Sequence, residues 1–217
     1  MFDFLDMVHV DLNNSDTNTE NKRRVFFDLE GSLTTEGDIL QLAMIETDWS
    51  FKITNVFNMY FKNRKPILDV EINVHGITEE FLKDNAQAHF TEMVDIMPFK
   101  SSKDTMFISY TTFDVRRVND ELRSYNLPLI DFGDKVSDLA SIPTEGTNSH
   151  FDAFNLGKKK GDLLAKELGE EVFNQVFKEL EQFGNFTNKG NHDALFDTVM
   201  ILALCRGLTD EKLKRTD

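Results

Sequence analysis

The stretch VFFDLEGSL, residues 25–33, is an apolar run with two acids, Asp28 and Glu30, set inside it. Successive side chains of a strand point to opposite faces, so Val25, Phe27 and Leu29 share one face and Phe26, Asp28 and Glu30 the other. The two carboxylates therefore stand side by side where the pattern asks for burial. Neighbouring buried carboxylates lose hydration and repel one another, so this segment makes sense only beside a cation or a ring of donors.

Outward from this stretch the chain reads as an α/β domain. ILQLAMIET (39–47) and ITNVFNMYFK (53–62) are two more strand-like runs, joined to the first by the turn sequence GSLTTEGD (31–38). EINVHGITEEFLKDN (71–85) reads as a loop leading into a helix that starts near Thr78, and AHFTEMVDIMPF (88–99) as a short helix stopped by Pro98. TMFISYT (105–111) is a further strand feeding the helix TFDVRRVNDELRSY (112–125), whose Val115, Val118 and Leu122 form one stripe. KVSDLA (135–140) fits either a strand or a helix. Residues 151–183 read as largely helical with breaks near Gly157 and Gly161, and DALFDTVMILALCRG (193–207) is an apolar helix expected to end at Gly207.

The 217 residues, 40% of them hydrophobic, suffice for one domain with a substantial core. Twenty Phe against one Trp and three Tyr make that core phenylalanine-rich. No segment approaches the ~20 apolar residues that span a bilayer, and the amino terminus lacks the basic start and apolar stretch of a secretory signal. A single cysteine, Cys205, permits no intrachain disulfide and suits a reducing, cytoplasmic setting. Residues 12–22, LNNSDTNTENK, are polar and turn-forming. Residues 1–24 are accordingly expected to be an extension that tethers the domain or contacts a partner protein, with the domain over 25–210 and a tail at 211–217. A net charge of −14 argues against broad, salt-sensitive attraction to nucleic acid or anionic membranes. A nucleic-acid enzyme stays open, because acids that hold cations make a local positive field. The basic clusters at Lys62–Lys65, Arg116–Arg117 and Lys158–Lys160 read as solvated faces, with phosphate contact as the alternative.

Other acids also run against an apolar grain. Asp114 falls at i, i+4 and i+8 with Val118 and Leu122, on the core side of its helix, with helix N-capping as the plain alternative. Asp193 and Asp197 are four apart on one helical face, and His192 can reach that face only from the preceding turn. Helix-dipole complementation accounts for Asp193 at the first turn but explains less for Asp197, which sits among Leu195, Val199, Met200 and Ile201. Hard oxygen donors of this kind suit Mg²⁺ or Mn²⁺ rather than Zn²⁺. An EF-hand is excluded: in DLEGSLTTEGDI (28–39), Leu33 occupies the sixth position, where glycine is needed, and Ile39 the twelfth, where glutamate is needed.

With these residues in view, the chain resembles the DEDDh 3′–5′ exonucleases, which include polymerase proofreading subunits, ribonuclease T and oligoribonuclease. FFDLE (26–30) is similar to the family's Asp-x-Glu motif on the first strand, SYTTFDVRRVNDEL (109–122) to its second motif, and HDALFD (192–197) to its His-x-x-x-x-Asp motif. HGIT (75–78) matches a loop common in the family between the third strand and the first helix. The resemblance runs from about Val25 to Gly207. It implies a ribonuclease H-like fold, a mixed five-stranded sheet flanked by helices. It also implies that Asp28, Glu30, Asp114 and Asp197 hold two divalent cations, Mg²⁺ or Mn²⁺, and that His192 is the general base. The expected substrate is single-stranded nucleic acid, DNA ahead of RNA, with no membrane partner, and the products are 5′-mononucleotides released from the 3′ end. Gly31, Leu33, Tyr110 and Phe113 are the expected substrate contacts.

The chain departs from the family in two places. Gly31 stands where Thr is usual, and Ser109-Tyr110 where His-Asn often precedes the second-motif Phe-Asp. Of the other aromatic and histidine residues, Phe26, Phe113 and Phe154 could stack on bases, while His75 reads either as part of a loop near the site or, more plainly, as a structural hydrogen bond to backbone. An exoribonuclease of the same fold and a non-catalytic binding subunit are the rival readings.

Overall fold

The apolar run of residues 25–33 is placed at the heart of a sheet, as its alternation requires. The structure, a computed structural model, describes residues 22–32, 37–97, 105–132, 136–138, 170–184, 186 and 192–215. β1 (Arg23–Gly31) runs antiparallel to β2 (Ile39–Asp48), which is antiparallel to β3 (Ile53–Tyr60). Helices α1 (Asp69–His75), α2 (Glu79–Asn85) and α3 (Phe90–Met93) follow, the last continued by a 3-10 turn over Val94–Ile96. β4 (Thr105–Ser109) pairs with β1 in parallel, and α4 (Thr112–Ser124) leaves its end. β5 (Val136–Asp138) is a three-residue strand parallel to the end of β4. Helices α5 (Glu170–Leu180) and α6 (Ala194–Arg215) complete the described chain. The sheet order is β3-β2-β1-β4-β5, with the first four strands supplying nearly all of its ladder. A mixed sheet with flanking helices is the α/β architecture the sequence implied.

The alternation along β1 divides two cores. Phe26, with Ala43 and Ile45 of β2, packs against Val176 and Leu180 of α5 and Leu195, Val199 and Leu202 of α6. Val25 and Phe27, with Leu42 and Met44, pack on the other face against Phe90, Val118, Leu122 and Phe132. Each fully buried Phe or Leu contributes about 1.5–3 kcal/mol. The site described below lies on the α6 side.

The structure departs from the expected boundaries in four places. β1 begins at Arg23, two residues inside the segment assigned to an extension, because Arg23 and Arg24 pair with Thr105 and Met106 of β4. Part of the loop before Thr78 is helix: Glu71 accepts from Leu68 N–H at 3.0 Å, and Gly76, at φ 70°, closes α1 in the left-handed region. HGIT is therefore a joint between two helices, with Thr78 capping the second through Phe81 N–H at 3.1 Å. α6 does not stop at Gly207 but runs to Arg215, so residues 211–215 belong to a helix rather than a tail. One interior glycine costs a helix only about 1 kcal/mol, and LTDEKLKR beyond it holds mostly good helix formers.

Candidate active site

β4 pairs with β1 only as far as Phe26. Past that point β1 keeps β2 on one side and opens on the other, where α/β sheets typically bind ligands. Asp28 and Glu30 lie on this open end, on the same side of the strand as Phe26 and hence toward α6. Asp114 comes from α4, which starts directly after β4. Thr111 is the cap of that helix, its hydroxyl accepting from Phe113 N–H at 3.2 Å. Asp114 is the third residue inside and is 6% exposed, so it is an inward acid and not the N-cap.

Two neighbouring acids divide the work at the start of α6. Asp193 caps the helix, accepting from Phe196 N–H at 3.2 Å through its side chain and from Asp197 N–H at 3.0 Å through its carbonyl. Its other carboxylate oxygen accepts from Gln41 Nε2 at 3.1 Å and from the Tyr60 hydroxyl at 3.0 Å. Gln41 also accepts from Ala194 N–H at 3.1 Å, so β2 holds the helix start from both sides. Asp197 instead faces Glu30 and His192: one ligand atom from each of these three residues lies within 4.8 Å of the others. His192 reaches this position through a left-handed backbone, φ 64°, with its N–H on Asp197 Oδ2 at 3.1 Å. A non-glycine residue held there stores of order 1 kcal/mol of strain, a burden that clusters at functional sites.

Asp28, Glu30 and Asp197 feel one another's charge and that of the neighbouring acids. Burial, followed by the negative charges of Asp114, Asp197, Glu30 and Asp193, raises Asp28 well above the carboxylate range. Glu30 is pushed up to about 9 by burial and then by Asp197, Asp114 and Asp193. Asp197 rises to about 6, burial outweighing its hydrogen bond from His192. Arg24, fully buried on the same face of β1, is not their counter-ion. It lies four residues away, roughly 13 Å along a strand, stacked on Trp49 at 3.7 Å and Phe51 at 4.1 Å. The group thus has hard oxygen donors, close spacing and high proton affinity, which fit divalent cations.

The expected substrate contacts have different surroundings. Gly31 ends β1 at a register shift, where a Cβ would collide with the Asp38 carbonyl oxygen and crowd Ile39 Cα. The family's Thr has no room there, and this departure is imposed by the backbone of the β1–β2 connection. Tyr110 packs against the α6-side core, while Phe113, 44% exposed, is open to solvent on the first turn of α4. Phe26 is fully buried in the core, so it cannot stack on a base. Leu33 and Phe154 lie outside the described residues. His75 makes the backbone hydrogen bond expected of it, its Nδ1 accepting from Ile77 N–H at 3.0 Å. Gln41 and Tyr60, which hold the start of α6, carry no motif, although a glutamine inside ILQLAMIE runs against the apolar grain of that strand.

No protein-family model matches the sequence, and no curated protein sequence matches it. Solved structures do. Exonuclease I of E. coli, in a complex with single-stranded DNA, superposes with a TM-score of 0.62 at 15% identity over 89% of this chain. The nuclease domain of 3′hExo, described as a DEDDh family member and bound to rAMP, gives 0.54 at 15% identity over 87% of this chain and 92% of its own. The chain has the fold of the DEDDh exonucleases. Cell-death related nuclease 4 shares that fold, with a TM-score of 0.57 at 15% identity. This chain spans 41% of the exonuclease I chain and 64% of the cell-death related nuclease. Among the described residues no helix is long and apolar enough to cross a membrane.

Proposed function

We propose that this protein is a metal-dependent 3′–5′ exonuclease that removes 5′-mononucleotides from single strands, DNA in preference to RNA. The observation that carries the proposal is the convergence of Glu30 and Asp197 with His192, one ligand atom of each within 4.8 Å of the others, with Asp28 and Asp114 adding their charges to the same field. Asp28, Glu30, Asp114 and Asp197 would hold two divalent cations, Mg²⁺ or Mn²⁺. Cations bound there would relieve charge on the phosphate, activate a water and stabilise the leaving 3′ oxygen. The chain's own part is to hold four carboxylates on two rigid elements and a helix start, so that none needs to reorganise during the reaction. His192 is the base, placed by its strained turn to accept the proton of the attacking water. Asp193, occupied as a cap, stays out of the chemistry.

The preference for single strands follows from access. A terminal nucleotide inside a duplex must be unpaired at a cost of a few kcal/mol before it reaches the cluster. Exonuclease I is known bound to dT13 and dA16 oligonucleotides and 3′hExo to rAMP, which keeps an exoribonuclease as the second reading. The test uses matched DNA and RNA oligonucleotides, 5′-labelled, with Mg²⁺, Mn²⁺ or EDTA. The expected result is progressive shortening of the labelled DNA that EDTA abolishes. Release of the label as a mononucleotide, or cutting of a circular single strand, would overturn the assignment.

A further inference from the structure

Helix α4 carries two further buried groups on the stripe that holds Asp114. Arg117 and Glu121 are each 1% exposed, at i+3 and i+7 from that acid. Both reach outside their own helix. Arg117 Nη2 donates to the Gly37 carbonyl, and Glu121 Oε2 accepts from Ile39 N–H at 2.6 Å. Both targets lie where the β1–β2 connection re-enters the sheet. Ser32, two residues past Glu30, closes that connection by donating its N–H to the Asp38 carbonyl at 3.1 Å. Asp38 in turn accepts from Arg64 N–H at 2.6 Å and Lys65 N–H at 2.8 Å, and Ser32 Oγ donates to Glu71 of α1 at 2.7 Å. Arg64 Nη1 stands 3.9 Å from Glu121 Oε1.

A continuous set of polar contacts therefore runs from the helix of Asp114 to the strand end of Glu30. Packing alone does not require it. Buried charged groups are weak evidence for stability, and fixing register is their best attested use. Apolar contacts tolerate sliding, whereas hydrogen bonds to two backbone groups two residues apart define one position of the helix along the strand.

We propose that Arg117 and Glu121 are positioning residues that set the separation of Asp114 from Asp28 and Glu30, and so determine how tightly the cluster holds its cations. The inference rests on the exonuclease reading. The experiment compares full-length wild type with Glu121→Gln, Arg117→Met and the double variant Arg117→Met/Glu121→Leu. Mn²⁺ binding is followed by calorimetric titration, thermal unfolding is followed in EDTA, and kcat and KM are determined on one oligonucleotide. The double variant is expected to lose some Tm, because Ile39 N–H and the Gly37 carbonyl lose these partners, and, titrated where every variant is folded, to bind Mn²⁺ at least about tenfold more weakly. Its kcat should fall by more than its KM changes, and Glu121→Gln, which keeps an acceptor for Ile39, should lose least. Unchanged Mn²⁺ affinity and kcat in all three variants would overturn the proposal and leave the exonuclease reading intact. A Tm loss and a fall in turnover with Mn²⁺ affinity of the folded variants unchanged would overturn it too, by showing a purely structural role. A wild-type chain that takes up no Mn²⁺ would remove both readings together.

Discussion

At Asp28 and Glu30, burial and the surrounding acids make the ionised form costly in the absence of a cation. Asp28→Ala or Glu30→Ala should therefore abolish cleavage while leaving the metal-free chain as stable as wild type, or more so. Activity and Tm measured on the same samples check this, and loss of fold without selective loss of activity would mark the pair as structural. Asp193 and Asp197 should separate in the opposite sense. Asp197→Asn is expected to be inactive. Asp193→Asn should stay within about tenfold of wild-type turnover but lose about 1 kcal/mol or more of stability, since it weakens a cap and the bonds to Tyr60 and Gln41. Paired assays and denaturant melts decide the ranking. The inward acids were legible in the sequence because strand and helix periodicity are local rules. Arg117 and Gln41 were not, because their partners lie 80 and 152 positions away and include backbone groups that no side-chain pattern reports.

Between elements, the β1–β2 connection is a joint closely packed where β1 ends. Gly31→Thr would restore the family's residue yet push a Cβ into the Asp38 carbonyl, a backbone atom that cannot step aside. It should cost at least about 2 kcal/mol, seen in a urea melt, and should not improve turnover. The anchor on the far side of the same joint gives a pH dependence. Glu121 is pushed up to about 7, first by burial and also by the charge of Asp38, against the opposing effects of the Ile39 hydrogen bond, Arg117 and Arg64. A carboxyl whose folded value exceeds its unfolded one gives stability that is complete below about pH 4.5 and is lost as pH rises through about 7. Tm should accordingly decline over that window, and Glu121→Gln should flatten the decline relative to wild type. The order of the first four strands was legible in the sequence, whereas α1 was read as loop and the ends of helices shifted. Gly207 misled because a glycine stops a helix only when its neighbours also disfavour one, and here they favour it.

In the whole molecule, charge and fold meet in one place. A chain of net charge −14 gathers acids from β1, α4 and α6 around a single point, so divalent cations should stabilise it well beyond general ionic strength. Mn²⁺ at a hundredfold over its Kd should add about 2.7 kcal/mol, read as a rise in Tm that NaCl of equal ionic strength does not reproduce and that Asp28→Asn loses. α6 gives this arrangement a further consequence. The helix whose first turn holds Asp197, and which follows directly on His192, also supplies Leu195, Val199 and Leu202, which cover one side of the sheet. While the chain is being synthesised, the strands emerge long before the residues that arm the centre. Under the exonuclease reading, a chain that has not yet added His192 and α6 would thus lack both the cover of that face and two members of the cluster.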